Sequence, residues 1–122
     1  CDCGSQDFAA SQMPDVNRLV KSEYNCVPIF MNEITPASKV FSHIGFDYMC
    51  VDVDCREGTK YVDFCSYHFP REHYNTFDAT FNAGTSEHLV APLGVLFYIH
   101  QVTKVGGIMM HDVPILAGAT TA

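Results

Sequence analysis

The sequence predicts an α/β fold: a three-layer sandwich on a mostly parallel sheet of about five strands, with helices on both faces. Three observations lead there. Short apolar, β-prone runs alternate with helix-like segments, the pattern of βαβ units. Several of these runs end in Gly, Asp or Asn. The chain is also of single-domain size, with 122 residues, 48% hydrophobic and only 17% charged, so it has ample apolar surface to bury and disorder is excluded.

The elements follow in order. Cys1 to Gly4 reads as the end of a strand entering a turn. Residues 9–34 are punctuated by Pro14, Asn17, Asn25, Pro28 and Asn32, and read as loop with a short helix around Val16–Lys21. Thr35-Pro36 has the form of a helix start, Val40, Phe41 and Ile44 supply an apolar stripe, and Gly45 a left-handed stop. Phe46–Val53, Tyr61–Phe64 and Phe77–Asn82 read as strands. Pro92–Lys104 reads as a helix on which Leu93, Leu96, Phe97 and His100 share a face. Gly106-Gly107 stop it, and Gly107–Val113 is a last strand ended by Pro114.

Composition removes several function classes. Seven basic against fourteen acidic residues give a net charge of −7. With no Lys/Arg run, the chain repels nucleic-acid backbones, and a basic membrane-surface helix is disfavoured. No apolar run approaches the roughly 18–20 residues that span a bilayer. Cysteines stand at 1, 3, 26, 50, 55 and 65. Several lie in apolar stretches, as reduced, buried thiols do, which points to a cytoplasmic protein. Cys1-Asp2-Cys3 and His68…His73 lack the paired spacing of a structural zinc site, so no metal is expected. The five methionines form no stripe and read as core filler.

In a doubly wound sheet, ligands bind beyond the carboxyl ends of the strands. The residues at those ends are therefore the candidates. The first end is Gly4-Ser5-Gln6-Asp7, where a glycine lets backbone approach a ligand closely. The second is Asp52, placed to accept from two ribose hydroxyls, with Asp54 two residues on. The third is Asp63-Phe64, an acid and a ring suited to an adenine edge and face. The fourth runs from Phe77 through Asn82 and Gly84 to Glu87-His88-Leu89. The fifth is Lys104-Val105-Gly106-Gly107, leading through His111-Asp112 to Pro114.

In this order the segments resemble the class I S-adenosylmethionine-dependent methyltransferases. The Glu-His-Leu segment and the Lys-x-Gly-Gly strand ending in Val-Pro carry the resemblance, which covers nearly the whole chain. It implies a Rossmann-like sandwich truncated at its C-terminal strands, with an insertion near residues 10–34 and one glycine where the first loop of the family has two or three. It further implies S-adenosylmethionine as cofactor, held by Gly4, Gln6, Asp7, Asp52, Asp63, Phe64, Asn82 and Gly84. A small molecule is the expected methyl acceptor, with His88 first and His111 second as candidate bases. Glu87 and His88 are expected at a helix start capped by Ser86, with His88 toward the cleft and Glu87 structural. The competing readings are a methyltransferase-like binding module without catalysis and an NAD-binding oxidoreductase. The absence of Gly-x-Gly-x-x-Gly weighs against the latter.

Overall fold

The computed structural model describes residues 1–4, 7–27, 29, 34–54 and 58–113. In chain order the elements are β1 (Asp2–Cys3), β2 (Asp7–Phe8), α1 (Met13–Tyr24), β3 (Thr35–Pro36), α2 (Ala37–His43), β4 (Cys50–Asp52), β5 (Thr59–Tyr61), β6 (Phe77–Ala83), α3 (Leu93–Val102) and β7 (Thr103–Asp112). Five strands form one sheet in the order β5-β4-β1-β6-β7, and every neighbouring pair is parallel. The chain thus builds outward from β1 to one side and then crosses to the other, the strand order of a doubly wound α/β sheet. β2 and β3 make a separate antiparallel pair.

The core lies on one face of this sheet. Cys1, Cys3 and Val51 point to that side and meet Val62 and Phe64 and the inner residues of α3, Val95, Tyr98, Ile99 and Val102, all buried. α3 sits so close that Gly94 is obligatory: a Cβ there would lie 2.0 Å from the Phe64 carbonyl oxygen. The opposite face is covered through α2, whose Phe41 ring stacks on Tyr48 at 5.3 Å and tilts over Phe81 at 6.2 Å. Helices therefore flank both faces, but not everywhere. Only residues 53–58 join β4 to β5, too few for the helical crossover of a dozen or more residues that parallel strands normally use.

Several boundaries differ from the sequence reading. Residues 13–24 are a full helix rather than loop. Its apolar positions Met13, Val16, Leu19 and Val20 follow helical spacing, a pattern masked in the sequence by Pro14 and Asn17 among them. Its end signals carry it instead: Pro14 in the first turn, Lys21 in the last, and Asn25 in the left-handed conformation at φ 51°. Thr35-Pro36 does not open α2 but pairs with Asp7-Phe8, and no side chain caps the helix that follows. Gly45 does end that helix, at φ +87°. The second strand shrinks to Cys50–Asp52, and the third shifts to Thr59–Tyr61, sharing only Tyr61 with the expected Tyr61–Phe64. Phe64 belongs instead to a 3₁₀ turn, Phe64–Ser66.

Leu93, Leu96, Phe97 and His100 do share a face of α3, and it is the outer one, with Leu93 57% and Phe97 54% exposed. β7 starts at Thr103, but its register against β6 jumps from Thr103 to Ile108. Gly106, at φ +84°, falls in this irregular stretch. Regular pairing starts only at Ile108, one residue from the expected strand start.

The close contact of Gly94 with backbone yields a stability prediction. Gly94→Ala forces α3 away from the Phe64 turn and lowers unfolding stability by at least about 2 kcal/mol in urea titration. Gly45→Ala, with open space but a left-handed backbone, costs only about 1 kcal/mol.

Candidate functional site

The carboxyl ends of the strands form a rim, and register places its residues in rows. Lys60, Val51, Cys3, Asn82 and His111 lie side by side across the five strands. One step further along come Tyr61, Asp52, Ala83 and Asp112. Gly4 follows Cys3 directly, buried and at φ +96°, a conformation that favours glycine. It is held by a 2.9 Å bond from its N–H to the Val51 carbonyl. The switch point falls between β1 and β6, where the Thr85 hydroxyl donates to the Cys3 carbonyl at 2.6 Å.

The best-ordered polar group on the rim is Asn82. It is 1% exposed, so both ends of its amide need partners. Its Nδ2 donates to Ser86 Oγ at 2.9 Å, and its Oδ1 accepts from the Ser86 backbone N–H at 3.2 Å. The same Nδ2 lies 3.5 Å from His111 Nδ1. β6, the turn after it and β7 are thereby tied into one polar cluster at the rim.

The other candidates divide. Asp52 stands at the end of β4 and accepts from the Val53 N–H at 2.6 Å. Asp63 caps the 3₁₀ turn, accepting from the Cys65 N–H at 2.9 Å. Phe64 is 1% exposed, and its ring meets Tyr98 edge-on at 5.5 Å, so it presents no face to the rim. Asp7 lies in the β2–β3 pair, and Gly84, at φ +72°, ends β6. Gln6 lies outside the described residues.

Glu87 and His88 are both exposed and belong to a 3₁₀ turn, Ser86–His88, with α3 starting only at Leu93. Ser86 does not cap a helix there; its hydroxyl serves Asn82. Of the two histidines, it is His111 that touches the rim cluster. Ser86, Thr85 and Asp112 are rim residues that sequence reasoning left without a site role. The signal for the first two was there, in two hydroxyl residues directly after the glycine that ends a strand.

Comparison of the chain with family models, with curated proteins and with solved structures finds no match. Among the described residues, no group of three or more His, Cys, Asp or Glu is arranged to hold a metal ion, and no helix is long and apolar enough to cross a membrane. Cys1, Cys3, Cys26 and Cys65 are free thiols. Of the two cysteines in apolar stretches, Cys50 is buried as expected and Cys65 is exposed; Cys1 and Cys3 are buried as well. Burial pushes the Cys3 thiol far above its ordinary range, so it stays neutral and unreactive.

Asp2 is the electrostatic anomaly of the sheet. It sits in the central strand, 4% exposed. One oxygen accepts from the Tyr48 hydroxyl at 2.6 Å, and Oδ1 is buried without a hydrogen-bond partner. Desolvation by burial raises its carboxyl to about 6, against the pull of the Tyr48 bond. A carboxyl whose folded value exceeds its unfolded one near 3.8 binds its proton more tightly in the native state. It therefore destabilises the fold as pH rises from about 4 through 6, by about 2–3 kcal/mol in all. Unfolding free energy measured from pH 4 to 8 should fall over that interval. In Asp2→Asn that fall should be absent, and the difference between the two curves should level off above about pH 7.

Proposed function

We propose that this chain is a methyltransferase-type domain of the S-adenosylmethionine-dependent, Rossmann-like class, acting on a small-molecule acceptor in the cytoplasm. The observation that carries the reading is the carboxyl end of the central strand and its neighbour. A glycine with positive φ directly follows the central strand, and an acid ends the strand beside it, in a five-stranded parallel sheet of doubly wound order. The acids of the rim, Asp52 and Asp112, suit a cationic cofactor in charge, and buried Gly4 leaves backbone free of a Cβ where a ligand approaches. Asp52 would hold ribose hydroxyls, and Asn82 with Gly84 would shape the cofactor's side of the rim.

S-adenosylmethionine, when bound, supplies a methyl group already activated by the positive sulfur. The chain's share is to position that methyl against the acceptor, which is a large part of such a barrier. An O–H or N–H acceptor also has to lose a proton. His111 is the better-placed base: though exposed like His88, it lies within 3.5 Å of Asn82 Nδ2 on the rim. His88, on an exposed turn, has no such anchor among the interactions described.

Phe64 favours a second reading, a binding module of the same architecture without catalysis. Its burial, with the use of Asp63 as a cap, removes the adenine-recognition pair that the resemblance implies.

Calorimetry separates these readings. S-adenosylhomocysteine should bind and NAD should not. Asp52→Ala should weaken that binding by about 2–3 kcal/mol if the ribose bonds are buried and charge-assisted, with its circular dichroism unchanged. In a turnover assay with a competent acceptor, His111→Ala should lower the rate more than His88→Ala. Binding of neither nucleotide would end the proposal, and cofactor binding without turnover on any acceptor would select the silent module.

A further inference from the structure

The opposite edge of the sheet, where the strands begin, carries a cleft that the proposed cofactor rim does not use. It has a volume of about 480 Å³ and lies between the C-terminal turn of α2, at Ser42 and Gly45, and the lead into β4, with Phe77 at the start of β6 on its lining. Phe46, Tyr48 and Phe77 are the aromatic residues of its lining, and Met49 adds a thioether-bearing one. The charged side chain of the lining is Asp47, which is exposed.

We propose that this cleft binds an organic ammonium group. The argument rests on charge and ring chemistry together. Aromatic faces attract cations through their quadrupole, and such walls are the usual means of holding methylated ammonium groups. Among the described residues, no lysine or arginine lines the cleft to compete for the rings or for Asp47. Behind Tyr48 stands a second carboxylate: the Tyr48 hydroxyl donates to Asp2, whose Oδ1 is buried and unpartnered. Donation to a carboxylate enriches the phenol ring and so strengthens its hold on a cation. Phe41, stacked on the far side of Tyr48 at 5.3 Å, fixes the ring in place. A neutral group of the same shape gains only the apolar contact, while an anion meets the Asp47 carboxylate in a chain of net charge −7. The cleft therefore selects for positive charge on an apolar body, as in a choline-like or methylated-amine ligand. This holds whether or not the rim binds S-adenosylmethionine.

The test is titration of the isotopically labelled chain, followed through its backbone amide resonances. The probes are choline, tetramethylammonium and the neutral choline isostere 3,3-dimethyl-1-butanol. Choline and tetramethylammonium should shift the amides of residues 42–49 and 77 saturably, with Kd of about 10 mM or tighter. The alcohol should bind at least about tenfold more weakly. Phe46→Leu and Asp47→Asn, both at exposed positions, should each weaken choline about three- to tenfold while keeping the remaining spectrum. The proposal is overturned if the cations give no saturable shift in this region, if the alcohol binds as well as choline, or if both variants bind choline like the parent chain.

Discussion

The centre of the sheet is a strand of two residues, β1, paired on both sides. Because β4 and β6 both hydrogen-bond to it, its backbone is wholly withdrawn from water, and its side chains are pressed against both covering layers. Cys3 meets this demand as a small neutral thiol facing α3. Asp2 does not meet it, and the fold accommodates the mismatch by giving the carboxylate the Tyr48 hydroxyl and by raising its proton affinity. The arrangement on either side follows from that short strand. With so little of β1 to pair, only the residues at its carboxyl end and their neighbours in register, Val51 and Asn82, can define the switch point.

The two faces are held by different means. On one, α3 is drawn so near that backbone touches backbone at Gly94 and Phe64, and Tyr98 is fully buried beneath it with its hydroxyl 2.8 Å from His73 Nδ1. On the other, α2 reaches the sheet through the rings of Phe41, Tyr48 and Phe81, and leaves a cleft where its last turn ends. The cleft lies where the last turn of α2 meets the lead into β4 and the start of β6. The rim proposed for a cofactor and the cleft proposed for an ammonium group lie at opposite ends of the strands, so occupation of one would not obstruct the other.

Much of the candidate rim was legible in the sequence because strands announce their ends. Gly4, Asp52, Asn82 and Gly84 could each be placed by the break from an apolar run to a turn residue, and the register puts Cys3–Gly4, Asp52, Asn82 and His111 along one edge. The assignments that fail share a cause. Asp63 and Phe64 look like a strand end, yet the chain leaves the sheet at Tyr61, and local bonding turns Asp63 into a cap. Glu87 and His88 look like a helix start, yet the amide of Asn82 captures Ser86 and winds the segment into a single 3₁₀ turn first. In both places a short-range hydrogen bond between side chain and backbone outweighed the propensity of the run.

The sequence by itself determined the class of fold. Alternating apolar runs and helical segments can bury their surfaces only as parallel strands with helices laid across them, and glycines and prolines mark the boundaries. The end signals of α1 and the stop at Gly45 were written there too. The tertiary structure alone decided which face of α3 is buried, because that helix is apolar on both sides and its periodicity names no direction. It alone decided that Thr35-Pro36 joins a strand pair and that His111, rather than His88, meets Asn82. These are contacts between residues far apart in the chain, and local sequence holds no record of which distant partner arrives.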